Sequence, residues 1–502
     1  MRHHPVPETL VEWLARVVEG HGHRPALVAG GRTWSHGELW ERAREVGERL
    51  LEEPAFRPHA TVGLIGRNTP EYVAAYLGVM RAAGTVVPLN ERLDAAEIRD
   101  QLELVGACGL IDADPYVDWG DLLGGGPPAW PVNAFRKRGA RRSSLPRPSP
   151  DRNACILLTS GSTGRPKGVV HTHRALLHSA LRLAAALPFG PGERAVGFLP
   201  FFASMPEQVL PALLSGGALE TIDRFDPERI AEACRTATCF DAVPTIMARL
   251  LDEADHDALR QLGWISFASE PMPVALLERW WDTLPGVATH QIYGMTECLP
   301  ITYAGPAHLR AKPRSVGLAY PTSEVAVIGA DGQRLPPGAP GEVVCSTPAL
   351  MAGYLGDPEA TSKVMTASGA IRTGDLGELD EDGALSLTGR LKDLIITGGL
   401  NVAPAEVEAA ACRHPAVASA VVVGIPDPKW GETPVVVAVP MSGSPLHPSD
   451  LLSFCRTELS GFKRPSGAAL VDRLPLTGIG KSAKSVVRER ILNGEITLVR
   501  SG

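Results

Sequence analysis

Residues 159–168 read TSGSTGRPKG, which places three glycines, four hydroxyls, an arginine and a lysine within ten positions. Glycines let backbone N–H groups approach an anion closely, hydroxyls add donors and a lysine adds charge, so the composition suits phosphate. The apolar run Cys155–Leu158 just before it reads as a buried strand. The loop is therefore expected to leave a sheet edge, where α/β proteins bind ligands. A Walker A loop has the form G-x-x-x-x-G-K-[ST]. Counted from Gly161, Pro166 stands at the second glycine and Gly168 at the hydroxyl. Proline has no N–H to offer, so that motif is excluded. A second near-match ending at Gly480-Lys481-Ser482 fails as well, because Pro475 occupies its first glycine position.

Other residues able to do chemistry are spread along the chain. Thr296 and Glu297 close QIYGMTE, Asp375 lies in RTGDLG, and Arg390 and Lys392 lie in GRLKD. Gly398 and Gly399 form a pair, and Lys481 ends PLTGIGK. Singly, each has an ordinary reading. Thr-Glu is a helix cap, Asp375 a turn former, Arg390 a surface ion pair, the glycine pair a hairpin turn, and Lys481 a surface lysine.

The elements that must position them alternate. Glu38–Leu51 has apolar residues at helical spacing, Thr61–Ile65 reads as a strand, and Glu71–Ala82 as another helix. Such alternation predicts layered α/β architecture. From about residue 315 the texture changes to short strands, SEVAVIG, GEVVC and ALSLTG, divided by Asp-Gly and Pro-Gly turns, which predicts a β-rich subdomain. After GRLKD, PAEVEAAACRHP predicts a helix with Pro404 in its first turn, followed by strands at SAVVVGI and PVVVAV. The chain of 502 residues exceeds what one core organises. It divides into 1–389 and a small α+β domain over 390–502, with a hinge near 390–393.

A net charge of −7 argues against a broad nucleic-acid surface. The basic run at 136–142 sits in a Gly/Pro/Ser-rich stretch and reads as a solvated loop. Eight scattered cysteines show no metal-ligand spacing or disulfide framework. No segment is apolar enough to span a membrane, and no signal core follows the first residues, so the cytoplasm is the expected compartment.

Taken in order, TSGSTGRPKG, QIYGMTE, RTGDLGELDEDG, GRLKDLIITGGLNVAPAEVE and PLTGIGK resemble the core motifs of the adenylate-forming superfamily. Its members include acyl-CoA synthetases, peptide-synthetase adenylation domains and beetle luciferases. Five ordered motifs across nearly the whole chain are far more specific than one glycine loop. The resemblance implies a large AMP-binding domain and a small mobile lid. It also implies activation of a carboxylic acid by ATP and Mg²⁺ as an acyl-adenylate, then transfer of the acyl group to a thiol.

By that resemblance, Lys167, Thr159, Ser160, Gly161, Ser162, Thr163 and Gly164 hold the triphosphate. Tyr293 lies at adenine with Gln291, Gly294, Met295 and Ser269 around the nucleotide. Thr296 approaches the α-phosphate, and Glu297, with Thr159, holds the metal. Asp375 accepts the ribose hydroxyls and Arg390 lies near ribose and phosphate. Lys481 reaches over from the small domain to the α-phosphate, where its charge counts most in the transition state. Lys392 is the pivot, and Gly398 and Gly399 leave room for the pantetheine arm of CoA.

Four departures from the family pattern bear on the substrate. Where relatives carry P-L-F-H this chain reads LPFFAS, with Ala203 in place of the histidine. In the amino-acid-activating pattern Phe202 replaces the aspartate, so a cationic α-amino group lacks a counter-ion. Ala268 takes a glycine position in FASEPM, Ile396 a lysine position, and SAKSVV follows Lys481 with only Lys484 keeping charge. An apolar or aromatic acid is the expected substrate, lined by Phe202, Ala203, Ala268 and Met295. CoA, the pantetheine thiol of a separate carrier protein, and a thioester step alone from supplied acyl-adenylate all stay open, as does a nucleotide-binding homologue without turnover. A homodimer is the default assembly. His171, His173 and His290 read as structural or surface residues, and Trp280-Trp281 as packing.

Overall fold

The computed structural model describes residues 6–135, 144–159, 166–441, 443–475 and 483–500. Its architecture is α/β, a large N-terminal part built on two sheets followed by a smaller C-terminal part. The first sheet has thirteen strands. Six of them run parallel, in the order Ala288–Met295, Trp264–Phe267, Cys239–Ala242, Arg194–Gly197, Ala218–Thr221 and Pro25–Ala29. These strands are short, apolar and mostly buried, as expected where helices or a second sheet cover both faces.

The second sheet has seven strands, in which Thr85–Pro88 pairs with Asn153–Thr159 and the latter with the antiparallel Lys167–Thr172. One buried cluster draws on both sheets, with Leu64, Val86 and Cys155 from one side and Ala195, Cys239 and Trp264 from the other. Helix packing is tight there. His36–Glu52 crosses Pro70–Arg81 at Gly78, where an added Cβ would come within 2.6 Å of Val46. Both helices start as their sequences dictate, through a Ser35/Glu38 capping box and a Thr69 cap followed by Pro70.

The β-rich stretch after residue 315 forms as strands, but not as a separate sheet. Ser315–Ala319, Leu385–Arg390, Ile371–Leu379, Gly341–Ser346 and Glu324–Ile328 extend the thirteen-stranded sheet beyond Cys298–Ala304. The switch from parallel to antiparallel pairing at Cys298–Ala304 lets the chain continue one sheet by short connections instead of crossover helices.

Leu385–Arg390 is the last strand of that sheet in chain order; a single 3-10 turn, Leu391–Asp393, leads to Ile395–Thr397 in a six-stranded C-terminal sheet. The long pair Val417–Asp427 and Gly431–Pro440 forms its centre, flanked by helices Pro404–Ala411, Pro448–Glu458 and Lys484–Leu492. Trp280 and Trp281 are packing residues in the core beneath the parallel strands.

Candidate active site

The sheet edge anticipated for the glycine-rich loop is present. Asn153–Thr159 and Lys167–Thr172 are an antiparallel pair with Thr159 opposite Lys167, so the glycine-rich segment joins two adjacent strand ends. Ser160, Gly161, Ser162, Thr163 and Gly164 lie outside the described residues, as does Lys481. Lys167 is half-buried, and its Nζ stands 4.7 Å from the ring centroid of Tyr354.

QIYGMTE runs from the end of strand Ala288–Met295 into a two-residue hairpin tip, because Met295 pairs with Cys298. Thr296 and Glu297 are that tip. An antiparallel strand follows, so neither residue caps a helix. Gln291 is buried beside Phe267 on the neighbouring strand, and Gly294 packs closely, an added Cβ falling 2.7 Å from the end of the Leu299 side chain. Met295 is half-buried against the core formed by Tyr293, Cys298 and Ile301.

Three small assemblies converge on this hairpin. In the first, the Tyr293 hydroxyl donates to Asp375 Oδ2 at 2.7 Å, and Arg390 Nε lies 2.7 Å from Asp375 Oδ1. Asp375 and Arg390 are direct cross-strand partners, which is why residues fifteen apart meet. Asp375 is buried whereas Arg390 is exposed. Burial, reinforced by the adjacent Asp375 charge, pushes the Tyr293 phenol well above its ordinary range, so it stays a donor.

In the second, Tyr354 donates its hydroxyl to Glu297 Oε1 at 2.7 Å while its ring faces Lys167. Tyr354 thus touches both an acid and a cation that the sequence motifs single out. In the third, His171 Nε2 meets the Thr296 carbonyl at 2.8 Å. Burial lowers this histidine to about 4, so the ring is neutral; since a carbonyl only accepts, the proton resides on Nε2. The hairpin tip is held from its backbone as well, with Met351 N–H donating to the Glu297 carbonyl at 2.9 Å.

Ser269 is exposed and has φ +76°, a left-handed conformation that costs a non-glycine residue roughly 1–2 kcal/mol. The sequence places the glycine departure at Ala268, but the left-handed residue is the next one. Ala268 itself is half-buried at the end of strand Trp264–Phe267. Phe202 and Ala203 are half-buried in the helical turn Phe201–Ser204, which continues into a π-turn, Met205–Val209.

Asn68 anchors that turn and has no counterpart among the sequence motifs. It is buried, donates to the carbonyls of Leu199 at 2.9 Å and Ile222 at 3.0 Å, and accepts from Phe201 N–H at 2.9 Å. Its only local signal is the helix start Asn68-Thr69-Pro70. Tyr354 had a better one, lying in the weak match GEVVCSTPALMAGYL.

Farther along, Lys392 is exposed in the 3-10 turn two residues after Arg390. Gly398 and Gly399 have φ +58° and +82° and form the two-residue connection between Ile395–Thr397 and Leu400–Val402. That turn alone requires glycine-like backbone at both positions. An added Cβ at Gly398 would also come within 2.8 Å of Trp430. Ile396 is exposed, and Lys484 pairs with Glu408 at 2.7 Å within the C-terminal part. Among the described residues no group of three or more His, Cys, Asp or Glu side chains is placed to hold a metal ion.

Comparison with known proteins adds the family. Residues 14–355 match the AMP-binding enzyme family, and residues 406–481 match the AMP-binding enzyme C-terminal domain. A feruloyl-CoA synthase from Amycolatopsis sp is 35% identical over 497 residues, covering 96% of this chain and 99% of its own. The ATP-bound MatB structure from Rhodopseudomonas palustris is 28% identical with a TM-score of 0.88, covering 95% of this chain and 98% of its own. The o-succinylbenzoate CoA synthetase (MenE) of Bacillus subtilis, in complex with the acyl-adenylate intermediate OSB-AMP, is 29% identical with a TM-score of 0.85, covering 95% and 97%. The chain belongs to the AMP-binding enzyme family, within the acyl-CoA synthetase type of AMP-forming acid–thiol ligases.

Proposed function

We propose that this enzyme activates an aromatic carboxylic acid at the hairpin tip Thr296-Glu297 and transfers the acyl group to CoA. The observation that carries the reading is the Lys167–Tyr354–Glu297 arrangement, a cation and a carboxylate held on the two faces of one tyrosine's chemistry beside the glycine-rich connection. It supports a site where a polyanion is screened by Lys167 and the hydroxyls of the 159–164 segment.

Glu297 fits a hard divalent cation: its carboxylate is half-buried, is engaged by a neutral hydroxyl, and makes no ion pair among the described residues. Glu297, with the Thr159 hydroxyl, would hold Mg²⁺, which when bound screens the triphosphate charge. Thr296 faces the α-phosphate, and its place in the hairpin tip is fixed by the neutral His171. Asp375 receives the ribose, and it already orients two donors, Tyr293 and Arg390. Lys481 supplies charge to the transition state from the C-terminal domain. In the second half-reaction, rotation of residues 390–502 about Lys392 removes that lysine and presents the Gly398–Gly399 hairpin to the thiol.

The acid is aromatic because Phe202 and Ala203 offer an apolar wall without a counter-ion, and because the relative named for feruloyl-CoA spans nearly the whole chain. The eight cysteines carry no disulfide in the structure, and the Cys298 thiol donates to Cys345 Sγ at 3.6 Å. No helix among the described residues is long and apolar enough to cross a membrane. A symmetric homodimer is the assembly we expect, and light scattering decides it.

The test is pyrophosphate release across a panel of carboxylic acids, with and without CoA. Release with acid and ATP alone, followed by CoA-thioester formation, is expected. Thioester formation only from supplied acyl-adenylate would replace the reading with a single half-reaction, and acylation of a carrier protein but not CoA would change the acceptor.

A further inference from the structure

A row of polar side chains crosses the core between the two large sheets, and the activation chemistry makes no use of it. Asp241, Ser266 and His290 occupy matching positions on three adjacent parallel strands, Asp241 opposite Ser266 and Ser266 opposite His290. Side chains alternate along a strand. Phe240, Ala242, Ile265 and Phe267 point into the core beneath, whereas Cys239 and Trp264 belong to the core shared by both sheets. Asp241 and Ser266 lie two residues from the latter, and His290 lies two residues from Ala288 and Ile292 of the same core, so all three face it, as does Ala268.

All three are more than nine-tenths buried, at 8%, 1% and 5% exposure. The Ser266 hydroxyl donates to Asp241 Oδ1 at 2.9 Å, and His290 Nδ1 meets the Tyr303 hydroxyl at 2.7 Å. His290 Nε2 is left without a partner. The same holds for Gln208 Oε1, whose amide nitrogen is tied to the Val196 carbonyl at 3.1 Å. Gln208 and its half-buried neighbour Glu207 come from the π-turn that directly follows Phe202 and Ala203.

Burial first, and then the Glu207 carboxylate, push Asp241 up to about 8, so at neutral pH it is mainly an uncharged carboxyl with a proton to donate. Burial likewise lowers His290 to about 4 and keeps it neutral. A polar but largely uncharged row with open valences, near the C-terminal ends of Cys239–Ala242 and Trp264–Phe267, is placed to meet a ligand group.

We propose that this row is the far end of the acyl pocket and recognises a neutral hydroxyl on the substrate acid, remote from the carboxylate being activated. The inference rests on the acid-activating reading above, in which Phe202, Ala203 and Ala268 line the acid. A hydroxyl both donates and accepts, so its chemistry suits the Asp241 carboxyl and the open atoms of His290 and Gln208 alike. A second carboxylate on the acid would face Asp241 and Glu207, and a bare apolar end would leave His290 and Gln208 unpaired.

The experiment compares kcat/KM for CoA-dependent pyrophosphate release with aryl acids matched except at the far ring position, which carries hydroxyl, hydrogen, methyl or carboxylate. The hydroxylated acid is expected to exceed the hydrogen and methyl analogues by about 10- to 100-fold, with the carboxylate poorest. In His290→Phe and in Asp241→Leu, that ratio should fall toward one; the wild-type ratio stands as a readout if either variant does not fold. Equal or better turnover of the hydrogen or methyl analogue by the wild-type enzyme overturns this proposal and leaves the acid-activating reading intact. Failure of every acid to release pyrophosphate overturns both.

Discussion

Tyr354 is the residue through which Lys167 and Glu297 are mechanically joined, and its two contacts separate by substitution. Tyr354→Phe removes the hydroxyl that donates to Glu297 at 2.7 Å and keeps the ring beside Lys167. Hydrogen bonds to charged groups contribute about 1.5–3 kcal/mol; Glu297 is half-buried and water replaces part of the loss, so the lower end, about 1.5 kcal/mol, applies. If that bond holds Glu297 in its working position, kcat/KM for ATP falls about tenfold. Tyr354→Leu also forfeits the cation–π contact, a further 0.5–1 kcal/mol or so at a partly exposed site. The combined loss of about 2–2.5 kcal/mol corresponds to roughly 30–70-fold.

ATP–pyrophosphate exchange at a saturating acid concentration reads this directly, with magnesium titrated in each variant. The Phe variant should need more magnesium, and the Leu variant should in addition bind ATP more weakly. Wild-type exchange in both variants would refute the argument that Tyr354 organises the pair. A Phe variant as impaired as the Leu variant would refute the division of labour between hydroxyl and ring.

Lys481→Ala should lower acid-dependent pyrophosphate release by about 100-fold or more, the scale of losing one transition-state charge partner. Thioester formation from supplied acyl-adenylate should survive in it, and equal loss in both assays would remove Lys481 from the first half-reaction alone. Asn68→Leu strips the carbonyls of Leu199 and Ile222 and the N–H of Phe201 of a buried partner, so stability should fall by about 1–3 kcal/mol. Urea unfolding measures that loss, and KM for the acid should rise with it, since the Phe202–Ala203 turn loses its anchor.

His173 is buried and lowered to about 4 by desolvation, against about 6.5 in an unfolded chain. Its neutral form is therefore favoured by folding. The stability it protects is complete above pH 6.5 and decays as pH falls toward 4, at up to about 1.4 kcal/mol per pH unit, because the unfolded chain binds the extra proton. His173→Leu should flatten the fall in melting temperature between pH 7 and pH 5, and an unchanged profile would sink this account.

Local sequence determined what depends on short-range chemistry. The Ser35/Glu38 box, Pro70 in a first turn, the buried strand before TSGSTGRPKG and the glycine pair at 398–399 are each set by residues within a few positions. The ordered motifs carried the family and most of the candidate residues, because catalytic groups of one reaction recur at recognisable spacing. Tertiary structure decided which of them touch. Asp375 meets Arg390 through strand register and Tyr293 across the sheet, and nothing in the three motifs states that geometry. It also decided the β-rich stretch, which extends an existing sheet because Cys298–Ala304 reverses the pairing direction. Asn68 and the Asp241–Ser266–His290 row stayed hidden for the same physical reason: a buried polar residue acquires meaning only from partners far away in the chain, supplied here by strands and a π-turn that fold onto it.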